Sequence, residues 1–345
     1  MTAEEQIVRH VQVGDRTVAW SSVGSGPPLV IGGWWASHLA LNWEDRAFRT
    51  FVQALARRRT VIRYDRPGTG LSDRTGPAPA SLDDELAVLA GLLETIDQPR
   101  VSVLGASAGC AVASSYAAQH PGRVDRLVLF GSYARGADIA SPSARDLMVS
   151  VVEGHWGLGA RVLADVFLPN ATSDDREAFA RFQRRSASRE AAAKALSAVY
   201  EMDSTTHLSR VRVPTLVLHR RHDRAIPFAL GRDVAGLVPG AAFVELTGED
   251  HFPWLGDSLA VIDAVDRFLD GLPQAVPADQ HPPAALTARE REVLMLVAQG
   301  LTDAQIADRL ILSAHTVHRH VANVRTKLGV PSRAAAAAWV LVHQH

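Results

Sequence analysis

VSVLGASAGCAVASSY, residues Val101 to Tyr116, is the stretch that decides the fold. An alternating β-branched run enters Gly105-Ala106-Ser107-Ala108-Gly109, and an alanine-rich helical run leaves it. Glycines two residues to either side of a serine suit a strained strand-to-helix turn, where neighbouring backbones come too close for a Cβ. Such a turn is a nucleophile elbow, and it presents Ser107 at the carboxyl end of its strand. The five-residue match alone is weak in a chain rich in alanine and glycine; the strand before it and the helix after it give it weight.

Working outward, Gln6 to Val23 reads as a β-hairpin turning at Gly14-Asp15, with both strands at a sheet edge. Leu29 to Gly32 and Val61 to Tyr64 are short buried strands around one helix, Glu44 to Arg58, whose Phe48, Phe51, Val52 and Leu55 share a face. Strand, helix, strand is the signature of a parallel sheet. DRPGTGLSD, Asp65 to Asp73, is a glycine turn, and Leu82 to Ile96 is a helix capped by Ser81 with Asp84 three positions on. RLVLF, Arg126 to Phe130, is a further strand after the elbow helix. The alternation then stops from Tyr133 to about Val213, a helical insertion read as a cap over the carboxyl edge of the sheet. It resumes with strands at Thr215 to His219 and Ala242 to Leu246 and helices around Phe228 to Leu237 and Ser258 to Leu269.

A nucleophilic serine needs a base to take its proton and a carboxylate to hold that base in one tautomer. Asp223 lies just beyond one late strand in HRRHDRAIP, and His251 just beyond the next in TGEDHFPWLGD. The chain order Ser, Asp, His at one sheet edge fits this architecture. Asp138, after the sixth strand, is the alternative acid; His219 and His222 read as strand-end or surface residues.

Residues 1–271 resemble the α/β-hydrolase fold family, with the cap between the sixth and seventh strands. The resemblance implies Ser107 as nucleophile, Asp223 as acid and His251 as base, with an oxyanion hole from the backbone N–H groups of Ala108 and Trp34. Trp34 follows Gly32-Gly33, where many members carry His-Gly. Trp35, His155, Trp156 and Trp254 are the expected walls of a ligand pocket.

LPQAVPADQHPPAA, 272–285, is proline-rich and reads as a linker. Beyond it, 286–345 can be punctuated from caps: Thr287 with Glu290 opens a helix that Gly300 ends, Thr302 opens a short one, Ser313 opens a longer one to Leu328, and a last helix runs from Ser332 to His343. Two helices joined at Ile311-Leu312-Ser313 make a helix-turn-helix. Val317, Val321, Val324 and Leu328 form the buried stripe of the third helix, leaving His315, His318, Arg319, Asn323 and Arg325 outward with Lys327 nearby. These sixty residues resemble the LuxR-type DNA-binding domain in LTAREREVL, Gly300-Leu301-Thr302, Gln305-Ile306-Ala307, Ser313, Thr316-Val317, His320 and Lys327-Leu328-Gly329-Val330. The resemblance implies that His318 and Arg319 reach base edges and that Thr316, His320 and Lys327 lie near the backbone of the DNA. Histidine stands at 315 and 318, where lysine is common in the family.

Composition sets the bounds. A chain of 345 residues is long for one core and suggests two domains. The net charge of −1 divides into +3 for 286–345 (seven Arg and Lys against four Asp and Glu) and −4 for the rest. A basic tail on an acidic body hints at nucleic acid. No long apolar run or secretory leader is visible, so a cytoplasmic protein without a membrane span is expected. The single cysteine, Cys110, reads as a packed residue, and neither metal-ligand spacing nor a phosphate-cradling loop is found, so no metal or cofactor is expected. The whole reads as an α/β domain with a mostly parallel sheet and helical cap, followed by a small all-α domain. The expected function is a homodimeric one-component transcriptional regulator sensing a small apolar ligand and binding operator DNA. The alternative is a serine esterase with an accessory DNA-binding domain.

Overall fold

The buried runs of the sequence assemble into one sheet because successive side chains along each strand serve opposite faces. The computed structural model describes residues 5–274, apart from 33, 77 and 97, and residues 288–340, apart from 311, 329–332, 334, 335, 338 and 339. The chain divides into two units, Met1–Pro273 and Gln274–His345.

In chain order the first unit comprises β1 (Ile7–Val13), β2 (Arg16–Val23), β3 (Pro28–Gly32), α1 (Leu39–Glu44), α2 (Arg46–Ala56), β4 (Thr60–Tyr64), α3 (Leu82–Thr95), β5 (Val101–Ala106), α4 (Gly109–Gln119) and β6 (Val124–Phe130). The cap follows, with α5 (Pro142–Gly154), α6 (Trp156–Phe167), α7 (Ser173–Ser186), α8 (Arg189–Glu201) and α9 (Thr205–Leu208). The sheet resumes with β7 (Thr215–Arg220), α10 (Phe228–Leu237), β8 (Ala242–Leu246) and α11 (Ser258–Leu269). The strand order is β1-β2-β4-β3-β5-β6-β7-β8. β2 pairs antiparallel with β1 and with β4, and every pairing from β4 through β8 is parallel.

One expectation needs correction. β2 is not an edge strand, since β4 flanks it on the side away from β1. The helix expected over Glu44 to Arg58 is α2, Arg46–Ala56, which Asp45 caps by accepting from the amides of Ala47 and Phe48; the short α1 that ends just before it at Glu44 is not expected from the sequence.

Alternation along the central strands builds a core on each face. Val101 and Val103 of β5, Leu127 and Leu129 of β6 and Val217 of β7 pack with α3 and α4 residues such as Leu89, Leu92, Val112 and Tyr116. Leu104, Ala106, Val128, Phe130, Leu216 and Leu218 pack on the other face with Phe48, Phe51 and Leu55 of α2 and Val261 and Val265 of α11. Each buried valine, leucine or phenylalanine among them contributes about 1.5–3 kcal/mol relative to exposure. Cys110 is buried in the first of these cores, and burial pushes its thiol pKa well up.

In the second unit, α12 (Ala288–Ala298), α13 (Asp303–Leu310) and α14 (Ala314–Leu328) enclose Val293, Leu296, Val297, Ile306, Ala307, Val317 and Val321. Thr302 and Gln305 cap α13 reciprocally, and Ser313 caps α14 by accepting from the Thr316 amide at 3.1 Å. Ala336 and Val340 pack against Leu294 and Val324. Most of the expected last helix, 332–343, and the linker from 275 onward lie outside the described residues.

The elbow is the tightest packing of β5 on α4: a Cβ at Gly105 would stand 2.5 Å from the Gly109 carbonyl oxygen and 2.9 Å from the Cys110 Cα. Since backbone must move to admit it, Gly105→Ala is expected to lower stability by about 1–3 kcal/mol. Gly122→Ala, whose Cβ meets nothing within 4 Å, should stay within about 0.5 kcal/mol of the parent. Denaturant unfolding followed by tryptophan emission checks both, and equal effects would refute the close-approach argument.

Candidate active site and nucleic-acid interface

Parallel strands end at a common edge, and β3, β5, β7 and β8 each release a candidate residue there. Ser107 follows β5 with φ 54°, the one non-glycine residue at positive φ among those described. Its amide donates to the Phe130 carbonyl at 2.9 Å, tying the elbow to the end of β6. The next residue, Gly131, lies against the other two candidates. A Cβ there would be 3.4 Å from His251 Cε1 and 3.5 Å from Asp223 Oδ2.

Asp223 and His251 are paired. His251 Nδ1 donates to Asp223 Oδ2 at 2.9 Å, which fixes the tautomer and leaves Nε2 as the acceptor; that atom is buried without a hydrogen-bond partner. Asp223 Oδ1 accepts from the amides of Ala225 and Ile226 at 2.9 and 3.1 Å. Burial acts to raise the Asp223 pKa, but the His251 imidazole and the hydrogen bonds from His251 and Ile226 outweigh it and hold the carboxyl below its usual value. The Phe167 ring from the cap stacks on the imidazole at 5.4 Å, and the Phe167 carbonyl accepts from the His251 amide at 3.2 Å.

Asp138, the alternative acid, is engaged elsewhere: its carboxylate takes two hydrogen bonds of 2.9 Å from the exposed Arg135. His219 is not a surface residue but fully buried. Its Nε2 donates to the Ile226 carbonyl at 3.0 Å and stands 3.8 Å from Asp223 Oδ2, and burial lowers its pKa.

The loop after β3 carries Trp34 and Trp35, both buried; Gly33 lies outside the described residues. Neither Trp34 nor Ala108 donates its amide to a described main-chain carbonyl. Two buried charges brace this loop. Arg66 Nη1 donates to the Trp35 carbonyl at 2.9 Å while its Nε holds Glu85 at 2.6 Å, and Asp65 Oδ2 accepts from the amides of Leu39 and Leu71, each at 2.9 Å.

A cavity of about 730 Å³ is walled by Leu168, Phe179, Phe182, Phe252, Trp254 and Leu255; the two sequence neighbours of His251 line it, but Ser107, Asp223 and His251 do not. Asp45, Asp175 and Asp250 also line it, and among the described residues no lysine, arginine or histidine does. Trp254 lines this cavity, whereas Trp35 and Trp156 do not and pack edge to face at 5.9 Å in a cluster with Ala108, Tyr133 and Ile226. His155 is exposed at the junction of α5 and α6 and does not line this cavity. Phe182 and Phe252 carry no signal of a wall in the sequence, where each is a lone aromatic, and Phe179 stands out there only as one aromatic of the helical insertion.

On the second unit, Thr302, Ser313, His318, Arg319 and Asn323 are exposed, and Thr316 and His320 are half-buried. Val317, Val321 and Val324 face inward as their spacing requires. His318 Nδ1 stands 3.4 Å from Asp303 Oδ2, and Arg333 also pairs with Asp303 while donating to the Leu301 carbonyl. The side chains of His315, Arg325 and Lys327 lie outside the described residues. Among the described residues no group of three or more His, Cys, Asp or Glu could hold a metal ion, and no helix is long and apolar enough to cross a membrane.

Similarity searches agree with both halves. A pyrrolizixenacetamide deacetylase of Xenorhabdus hominickii is 26% identical over 241 residues, 68% of this chain and 88% of the relative. A 2-hydroxy-6-oxo-2,4-heptadienoate hydrolase of Pseudomonas putida is 26% identical over 239 residues, covering 64% of this chain and 81% of the relative. Among solved structures, the enol-lactonase of Burkholderia xenovorans LB400 superposes with a TM-score of 0.64 at 26% identity, covering 76% of this chain and all (100%) of its own. Residues 284–340 match the model for bacterial regulatory proteins of the luxR family, which makes that unit a DNA-binding regulator domain. The model for the alpha/beta hydrolase family matches residues 29–264, well over half of the chain, and the chain belongs to that family, with a LuxR-type domain fused behind it.

Proposed function

We propose that this protein is a one-component transcriptional regulator in which the hydrolase-like unit senses a small, largely apolar ligand and the LuxR-type unit binds operator DNA. The observation that carries this reading is the cavity of about 730 Å³, walled by aromatic and aliphatic side chains, in a chain that also holds a DNA-binding domain. With three carboxylates and, among the described residues, no cationic side chain in its lining, the cavity favours a neutral or positively charged ligand over an anion. Sensing requires only that the ligand favour one state of the protein over another, and wall contacts can provide that difference without breaking a bond.

The second reading, a working serine hydrolase, is favoured by the positive φ of Ser107 and by the buried Asp223–His251 hydrogen bond of 2.9 Å. In it, His251 Nε2 takes the Ser107 proton as Oγ attacks an acyl carbonyl, and the amides of Trp34 and Ala108 receive the oxyanion. The protonated imidazole then gives its proton to the departing alcohol, and water, activated by the same histidine, releases the acid and regenerates the serine. Asp223 stays ionised throughout and stabilises the imidazolium.

On DNA, the exposed Arg319 reads a base edge and Lys327 contacts the phosphate backbone. Arg319→Ala should cost about 1–3 kcal/mol and relax specificity at one base position, whereas Lys327→Ala should weaken binding to all sequences about equally. Mobility-shift titrations against a set of operator variants separate the two, and unchanged affinity in both would remove α14 from the recognition role.

The protein is also proposed to act as a dimer on half-sites about one helical turn apart. Among the described residues of 334–342, Ala336 and Val340 are buried in the unit's own core and Ala337 packs against it. Light scattering of free and operator-bound protein gives the stoichiometry, and a monomer in both states would end this proposal.

Ser107→Ala is expected to abolish most hydrolysis of short acyl esters while keeping ligand-dependent control of DNA binding. Should the folded, DNA-binding variant lose its response to a non-hydrolysable ligand, Ser107 is part of the signal. Should it lose only the response to a hydrolysable one, the effector is the product and the hydrolase reading prevails.

A further inference from the structure

Arg220 ends β7 three residues before Asp223, and it is among the largest fully buried side chains, at 1% exposure. Its guanidinium makes hydrogen bonds to three main-chain carbonyls of a single loop. Nη1 donates to Asp250 at 2.7 Å and to Phe252 at 2.8 Å, and Nη2 donates to Leu255. The first two carbonyls bracket His251 in sequence. The guanidinium also lies over the Phe130 ring, 5.4 Å from its centroid, and the Phe130 carbonyl is the acceptor of the Ser107 amide. One cation therefore touches the loop that carries the base and the residue that anchors the elbow.

Its neighbour His219 faces the other way, as adjacent strand residues do, and latches the acid loop by donating to the Ile226 carbonyl, whose own amide donates to Asp223. Burying a guanidinium carries a desolvation penalty that an apolar side chain of similar size avoids, so packing alone does not account for an arginine here. What a guanidinium adds is a rigid, planar set of donors able to fix several carbonyls at once. The loop needs fixing: Gly256 at its far end sits at φ 57°, a conformation with few constraints of its own.

We propose that Arg220 is the positioning residue for His251: its guanidinium fixes the 250–255 loop so that the imidazole stays seated on Asp223 with Nε2 unengaged. The same loop supplies Phe252, Trp254 and Leu255 to the cavity, so Arg220 sets one wall of the ligand space as well. The kinetic part of this assignment rests on the hydrolase reading of Ser107; the positional part does not.

The test uses the full-length protein and its Arg220→Lys and Arg220→Met variants, each first shown to be folded by circular dichroism. Two quantities are compared: the low-field proton resonance of His251 Nδ1–H, identified by its loss in His251→Gln, and the rate at which a fluorophosphonate labels Ser107. In Arg220→Met the resonance should vanish or broaden and labelling should slow by about tenfold to a hundredfold, the usual consequence of a misplaced catalytic group. Arg220→Lys, able to serve only part of the carbonyl set, should fall between Met and the parent on both. A folded variant of either kind with the parental resonance overturns the proposal, whatever its labelling rate. If Arg220→Met does not fold, Arg220→Lys decides alone, since a lysine variant equal to the parent removes the need for the three-carbonyl clamp. If the parent shows the resonance but is not labelled, the hydrolase reading fails and the resonance alone judges Arg220.

Discussion

A strand that returns parallel to its neighbour must cross over before it re-enters the sheet, so every such strand ends at the same edge. In this protein that constraint collects Trp34, Ser107, Asp223 and His251 from four separate strands, although 28 residues separate even the last two. The rest of the unit serves to hold the loops that leave this edge. The Phe130 carbonyl ties down the elbow, Arg66 and Asp65 brace the tryptophan loop, and the last two residues of β7 reach into the acid and base loops on either side.

Much of this was legible in the sequence because the signals are local. A glycine two residues from a serine, a Ser or Thr three residues before an acid or amide, and a Gly-Asp pair between alternating runs each act at a fixed offset, and the corresponding elbow, caps and hairpin turn sit at those positions. The inward stripe of α14 follows for the same reason, since helical spacing needs no distant partner.

The remainder depends on distant segments. α1 has only six residues, too few to show a period, and its N-cap is His38, whose Nδ1 accepts from the Leu41 amide at 3.3 Å; histidine is not a residue by which a helix start is ordinarily read. The interior place of β2 is set by β4, some forty residues on. HRRHDR, 219–224, has the letters of a solvated turn, yet His219 and Arg220 are buried because the loop after β8 and the start of α10 close over them. Nothing within a short window announces that covering. The aromatic wall shared by the cap and the His251 loop is legible only once Phe179 of α7 meets Phe252, at 5.2 Å, from a distant part of the chain.

The lone cysteine has a practical consequence. Cys110 is the only thiol in the sequence, is 2% exposed, and has its ionisation suppressed by burial, so alkylating reagents that need a thiolate will pass it by in the folded protein. Any cysteine introduced on the surface of either unit is then a unique attachment point. A spin label or fluorophore pair, one on each unit, could report the separation between the hydrolase-like domain and the DNA-binding domain with and without ligand, and the native thiol, which donates to the Gly105 and Phe130 carbonyls, would need no removal.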